Sequence, residues 1–165
     1  MKFEIAACCE TDPDLQSRGI MAVNRAPYSH VLIIVNGKWV YHAVGRGVCR
    51  EPLEEILKDH HLPHRIELSA LIAQADGEMV DPESFALAYL RGSLGIKYGL
   101  GQYLGFLFRF LRRFTNNDRQ QMVCSEFVAD FIEKGLGYEI PADLDHDFVT
   151  PAQVVALALQ LKRFQ

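Results

Sequence analysis

The feature that most restricts the fold is a strand–turn–strand pattern near residue 35. Residues 31–35 are all apolar and mostly β-branched, and they are followed by Asn36-Gly37, a dipeptide typical of tight hairpin turns. Residues 38–43 then supply a returning strand. A strand that is apolar on both faces must be covered on both sides, so the pattern predicts a buried hairpin inside a sheet.

The remaining pattern divides the chain into an early part rich in strands and a later part rich in helices. We predict strands at 2–8 and 65–70, a helix at 52–59, and a loop with one short element at 11–28. Later helices are predicted from Pro82 to about Leu90, capped by Asp81, then over 100–114, over 122–134 and from Thr150-Pro151 to about Leu161. This order favours one α+β domain over residues 1–165.

Charge and cysteine content narrow the function classes. The net charge is -4 with both signs interspersed, which argues against nucleic-acid binding. The cysteines at 8, 9, 49 and 124 form no CxxC pair, so we expect neither a disulfide framework nor a zinc ribbon. We expect the protein to occupy a reducing compartment.

The expected location follows from what the N-terminal sequence lacks. No apolar segment follows Met1-Lys2, and no apolar run reaches the ~20 residues of a membrane-spanning helix. We therefore expect no signal peptide and no transmembrane segment, a cytoplasmic or virion-associated protein, and a monomer.

A histidine cluster at 60–64 is the one pattern that resembles a metal site. It reads His60-His61-Leu62-Pro63-His64. Pro63 breaks helical spacing, and no cysteine or carboxylate nearby completes a ligand set, so we expect an exposed turn. The sequence predicts no metal and no cofactor.

The chemistry that the sequence favours is nucleophilic. Cys124 lies at or near the start of the helix predicted for 122–134, where the helix dipole favours a thiolate. Glu126, two residues later, is expected to be a solvated acid of the first turn with no catalytic role. Cys8, Cys9 and Cys49 are interpreted as structural or incidental thiols.

His30 and His42 lie at the outer ends of the two hairpin strands. A two-residue turn pairing Val35 with Lys38 would place these histidines on opposite faces. A type I turn with Gly37 as a bulge would pair Ile34 with Lys38 and place them directly opposite each other, about 5 Å apart. A relay from Cys124 through both histidines requires this register or another of the same parity, so we predict the bulged hairpin.

These segments together resemble the NlpC/P60 superfamily. Residues 29–43 are similar to its strand motif, which begins at a histidine and ends at His-Ala. Residues 123–128 are similar to its nucleophile motif, with Val123 in place of the usual acid, and Gly95-Ile96-Lys97-Tyr98 resembles its Gly-x-x-Tyr. The order of histidines before cysteine, and the closing Thr150-Pro151, resemble the circularly permuted, YiiX-like branch.

The resemblance implies a permuted papain-like fold, with a small antiparallel sheet packed against helices. It also implies a cysteine hydrolase of peptidase or amidase type, with Cys124 as nucleophile, His30 as base and His42 as the orienting residue. YiiX-like proteins usually have Glu where His42 stands. Tyr28, Ser125 and Tyr98 are expected to stabilise the oxyanion or contact substrate, together with backbone N–H groups at the helix start.

Three substrate or function classes remain open. The first is a peptide or cell-wall peptide amide, cleaved through a thioester. The second is a lipid-directed acyltransferase or lipase of the same fold, with peripheral membrane contact through the basic, aromatic segment 100–114. The third is a non-catalytic binding or assembly module.

Overall fold

A five-stranded antiparallel sheet forms the centre of the fold. The structure, a computed structural model, describes residues 1–71, 73–75, 78–99, 121–142, 144 and 149–164. The sheet order is β4-β3-β2-β1-β5, and its strands are β1 (Phe3–Glu10), β2 (His30–Val35), β3 (Trp39–Val44), β4 (Gly47–Pro52) and β5 (His60–Leu68). Two short pairs stand apart from it: β6 (Ala73–Ala75) with β7 (Glu78–Val80), and β8 (Lys97–Tyr98) with β9 (Gln121–Met122).

Helices cover both faces of this sheet, which confirms the α+β class. They are α1 (Leu15–Asn24), α2 (Leu53–Asp59), α3 (Pro82–Gly92), α4 (Cys124–Asp130) and α5 (Pro151–Lys162), and α4 continues into a π-helical turn at Phe131–Gly135. Of the helices that the described residues form, none combines the length and apolar character needed to cross a membrane.

Strand alternation sorts the apolar residues between the two faces. Odd-numbered residues of β2, such as Val31 and Ile33, pack with Phe127 and Val128 of α4 in the main core. Even-numbered ones, such as Leu32, join a smaller core that includes α2. Since β2 is buried on both sides, the prediction of a central strand from its unbroken apolar run is confirmed.

Helix caps follow the predicted polar residues. Asp81 accepts a hydrogen bond from the N–H of Ser84 at 2.8 Å, with Pro82 in the first turn. Thr150 accepts one from the N–H of Gln153 at 3.1 Å, and the Gln153 side chain accepts from the Thr150 N–H at 2.9 Å. Such reciprocal caps satisfy the free N–H groups of a first turn, which explains why α5 begins where the sequence predicted.

The predicted register of the central hairpin is wrong by two residues, although its parity is right. Val35 pairs with Trp39, and Ile34 with Val40, rather than Ile34 with Lys38. Asn36 and Gly37 both take positive φ, and Lys38 is an extra residue before pairing resumes. The Lys38 carbonyl accepts the N–H of Leu53 at 2.8 Å, which ties this extra residue to the start of α2.

Other differences concern segments that local pattern described poorly. Residues 11–28, predicted as a loop with one short element, contain the ten-residue α1, because Asp14 caps it through the N–H of Ser17 at 2.7 Å. Strand β4 was not predicted, and β5 begins five residues earlier than the strand predicted at 65–70, so it includes the histidine cluster expected in a turn. The helix predicted at 100–114 lies outside the described residues.

Candidate active site

Cys124 occupies the first position of α4. Its side chain is buried, and Glu126 steadies the helix start by accepting the N–H of Val123 at 3.4 Å. The helix packs against β2, so the thiol lies beside the backbone of Val31, the residue that follows His30. The helix start predicted for Cys124 is therefore confirmed.

The protonation state of Cys124 differs from the expectation drawn from the helix dipole. Burial raises the pKa of the Cys124 thiol to about 11, while the N–H groups of Val31, Ser125 and Cys124 itself act in the opposite direction without reversing the shift. At neutral pH the thiol therefore keeps its proton. Because the side chain is buried, desolvation outweighs the helix start.

His30 and His42 are in contact, as the relay requires. His30 is the first residue of β2, His42 lies within β3, and both project from the same face of the sheet. The His30 Nε2 and His42 Nδ1 atoms are 3.3 Å apart, and the two rings meet edge to face at 67°. The shared face depends on parity alone, so it survives a register error of two residues. The prediction that the two histidines lie directly opposite each other is wrong, because this register, continued along the strands, places His42 opposite Leu32 and makes His30 its diagonal neighbour.

A third group completes the chain of hydrogen bonds, and the sequence did not reveal it. Glu51 of β4 lies with its Oε2 3.0 Å from His42 Nε2, and its Oε1 forms an ion pair with Arg46. Glu51 was missed because β4 was missed. The available signal was the turn at Gly45-Arg46-Gly47, which returns the chain alongside β3. Cys49 then pairs with His42. Glu51 is two residues after Cys49, so its side chain projects from the same face as that of Cys49.

The acceptor-only carboxylate fixes the direction of the whole chain. An ionised Glu51, paired with Arg46, can only accept, so His42 Nε2 carries a hydrogen and donates to it. His42 Nδ1 of the neutral ring then accepts from His30 Nε2. This leaves Nδ1 of His30 without a hydrogen, which is the state that a general base needs.

Both histidines are neutral at physiological pH. Burial lowers the pKa of His30 to about 3, helped by the positive charge that His42 and His60 would carry. Burial also lowers the pKa of His42 to about 4, followed by the effects of Arg46 and His60. The resting site is thus a neutral thiol beside a neutral imidazole.

Cys124, His30 and His42 line one cavity of about 490 Å³. Its wall also includes Glu51, Arg46, Tyr98, His60, Glu10 and Asp14. Among the described residues, the Cys124 thiol makes no hydrogen bond to the His30 ring. The nucleophile and the imidazole chain therefore meet across the cavity, and a small rearrangement on binding would be needed to join them.

A narrow slot of about 30 Å³ also lies beside Cys124. It is lined mainly by apolar groups of Ile20, Val123, Pro151 and Tyr98, with Ser29, Ser125 and Cys124. A space of about 10–15 Å³ on this measure holds one water molecule, so the slot has room for a small group beside Cys124.

The three additional site residues predicted from the sequence have different surroundings. Tyr98 lines both the cavity and the slot beside Cys124. Ser125 contributes its N–H beside the thiol, while its hydroxyl donates to the Val149 carbonyl at 2.5 Å. Tyr28 is buried in the main core, edge to face with His64, and lines neither space.

No protein-family model matches the sequence, and no curated protein matches it significantly.

Proposed function

We propose that the chain is a thiol-dependent hydrolase of the permuted NlpC/P60, papain-like type, which cleaves an amide bond of a peptide or cell-wall peptide. One observation carries the proposal. Cys124 and an ordered His30–His42–Glu51 chain open into the same cavity of about 490 Å³. A nucleophile, a base and a group that orients the base are the parts that such chemistry requires.

The first step transfers the thiol proton to His30. Nδ1 of His30 accepts the proton as Cys124 Sγ attacks the acyl carbon, and the imidazolium that forms is stabilised through His42 by the Glu51 carboxylate. The raised pKa of Cys124 and the lowered pKa of His30 favour this proton transfer during attack over a standing thiolate–imidazolium pair.

The later steps return the proton and release the product. In this mechanism the backbone N–H groups near Sγ, those of Ser125 and Val31, stabilise the oxyanion. The imidazolium of His30 protonates the leaving amine, and Cys124 is left as a thioester. Nδ1 of His30 then activates water, which attacks the thioester and restores the thiol.

The shape of the site favours an amide substrate over a lipid. Within the part of the chain that the structure describes, the slot at Cys124 is much smaller, at about 30 Å³, than the main cavity of about 490 Å³. The larger cavity has a polar wall with Glu10, Asp14, Arg46 and Ser17, which suits the backbone and charged ends of a peptide. Lipid-directed transfer, with membrane contact through 100–114, is the alternative outcome.

The test is acylation by p-nitrophenyl acetate, a small activated ester that acylates nucleophilic thiols. We expect acetylation of Cys124, located by peptide mass mapping, with release of p-nitrophenol. Cys124→Ala should abolish the reaction, and His30→Ala should slow it about 10²–10⁴-fold. His61→Ala is the matched control, because His61 is exposed and does not line the cavity.

Two results would contradict the proposal. The first is turnover that Cys124→Ala leaves unchanged. The second is acetylation of Cys9 or Cys49 at the same rate as Cys124, which would make the binding-module interpretation the better one. Circular dichroism of each variant shows whether the fold is retained. Peptide amides and lipid esters offered to the active protein then separate the two substrate classes.

A further inference from the structure

Three potential metal ligands from β3 and β4 share one face of the sheet. His42 and Cys49 pair directly across the two strands, and Glu51 lies two residues beyond Cys49. One ligand atom from each of the three side chains lies within 4.8 Å of the other two. Nitrogen, thiolate and carboxylate ligands in this combination are typical of Zn²⁺.

We propose that His42, Cys49 and Glu51 form a Zn²⁺ site, and that zinc bound there switches off the base of the active site. The second half of this inference rests on the proposed function, whereas the first does not. Occupation of the site places the metal where His42 Nε2 now donates its hydrogen to Glu51.

The geometry needs only a modest closure. Tetrahedral Zn²⁺ holds its ligand atoms about 3.5 Å apart, so the widest pair must draw in by about 1 Å. His42 Nε2 and Glu51 Oε2 are already 3.0 Å apart, so most of this closure falls on the Cys49 thiol. Cys49 is only partly buried, so its thiol can release its proton to solvent when it binds the metal.

The surroundings suit a bound cation. The Cys49 thiolate and the Glu51 carboxylate bring two negative charges to the ion, while the guanidinium of Arg46 adds one positive charge beside Glu51. Arg46 binds Oε1 of Glu51, which leaves Oε2 for the metal and holds the carboxylate in place. His42, Glu51 and Arg46 line the main cavity, from which a water molecule supplies the fourth ligand.

Zinc would reverse the direction of the hydrogen-bond chain. With Nε2 of His42 on the metal, the neutral ring carries its hydrogen on Nδ1 and donates to His30. His30 Nε2 must then accept, so its own hydrogen moves to Nδ1, the atom that should take the thiol proton. The imidazoles gain and lose no proton in total, and Cys49 releases one to solvent. The base is thereby blocked without any contact between zinc and Cys124.

The site itself is tested with Co²⁺, which reports thiolate ligation in its absorption spectrum. We expect a thiolate-to-cobalt band and tetrahedral visible bands in the intact chain and in Cys124→Ala. Cys49→Ala should lose the thiolate band and weaken Zn²⁺ binding by at least about tenfold, measured by competition with a chelating dye. Cys9→Ala is the matched control, since Cys9 is also a partly buried free thiol.

The switch is tested by acetylation of Cys124 in the presence of Zn²⁺. We expect saturating Zn²⁺ to slow it at least about tenfold in the intact chain and in Cys9→Ala, and to have no such effect in Cys49→Ala. Cys49 has no part in the proposed catalysis, so Cys49→Ala should acetylate normally without metal.

The outcomes separate the two proposals. A cobalt band that survives Cys49→Ala, or one lost in Cys124→Ala, overturns the site. Equal inhibition by Zn²⁺ in Cys49→Ala overturns the switch, because the metal would then act elsewhere. If Cys124 does not acetylate without metal, the proposed function fails, while the cobalt spectrum still decides whether the site exists.

Discussion

At the scale of single residues, Glu51 gives the imidazole chain its direction. His30 and His42 alone can hydrogen-bond in either sense, and each sense places a hydrogen on a different nitrogen of His30. The carboxylate selects the sense that leaves His30 Nδ1 free. Glu51 touches neither nucleophile nor substrate in the proposed mechanism, so it is a positioning residue.

Replacing Glu51 by glutamine tests this role. The amide of Gln can donate as well as accept, so it allows His42 to reverse its hydrogen bond and leave His30 in the wrong tautomer. We expect Glu51→Gln to slow acetylation of Cys124 by about 10–10³-fold, with an unchanged circular dichroism spectrum. Glu55→Gln is the control, because Glu55 is exposed on α2 and pairs with Lys58. Equal rates in the two variants would remove Glu51 from the mechanism.

At the scale of elements, the turn between β3 and β4 places Glu51 and Arg46 around His42. Gly47 has φ of +103°, and a Cβ there would lie 2.5 Å from the Ile96 carbonyl oxygen. The same carbonyl accepts the N–H of Val48 at 2.8 Å, and Gly95 donates to the Val48 carbonyl at 2.9 Å. This close approach ties β4 to the segment that leads into Tyr98.

Gly47→Ala should therefore destabilise the chain and loosen the site. We expect a loss of on the order of 2–4 kcal/mol in the free energy of unfolding, because the left-handed backbone and the contact with Ile96 are both penalised. Urea denaturation measures it. Gly45→Ala is the matched control in the same turn, since nothing lies within 4 Å of its added Cβ. Similar losses of unfolding free energy in both variants would show that any substitution in this turn destabilises the chain, and that the contact at Gly47 has no special role.

At the scale of the whole molecule, burial of two neutral histidines links stability to pH. Folding lowers the pKa of His30 to about 3 and that of His42 to about 4, from 6.5 in the unfolded chain. Between those values the unfolded chain binds more protons than the folded one, so stability is complete above about pH 6.5 and falls as the pH drops.

Urea midpoints at pH 7 and pH 4.5 test this linkage. We expect the intact chain to lose stability on acidification, by at most about 1.4 kcal/mol per pH unit for each histidine. The double variant His30→Gln with His42→Gln should lose much less, because neither glutamine titrates. His61→Gln should behave like the intact chain. A double variant with the same loss as the intact chain would assign the acid sensitivity to other groups.

Sequence by itself determined the local features of this chain. The unbroken apolar run fixed β2 as a buried strand, capping residues fixed the starts of α3 and α5, and the position of Cys124 at a helix start followed from local pattern. The shared face of His30 and His42 was predictable because strand geometry has a period of two, which needs only the parity of the turn.

Only the tertiary structure decided the protonation state of Cys124 and which carboxylate contacts His42. Whether Cys124 favours thiol or thiolate depends on how completely the surrounding elements exclude water, and that is a property of packing. Glu51 contacts His42 because β4 pairs with β3. The turn between these strands contains Gly45 and Gly47, which the local sequence pattern identified only as residues that interrupt a strand. The turn sequence alone permits more than one pairing of β2 with β3. The observed pairing leaves Lys38 as an extra residue, whose carbonyl accepts the N–H of Leu53 in the next helix.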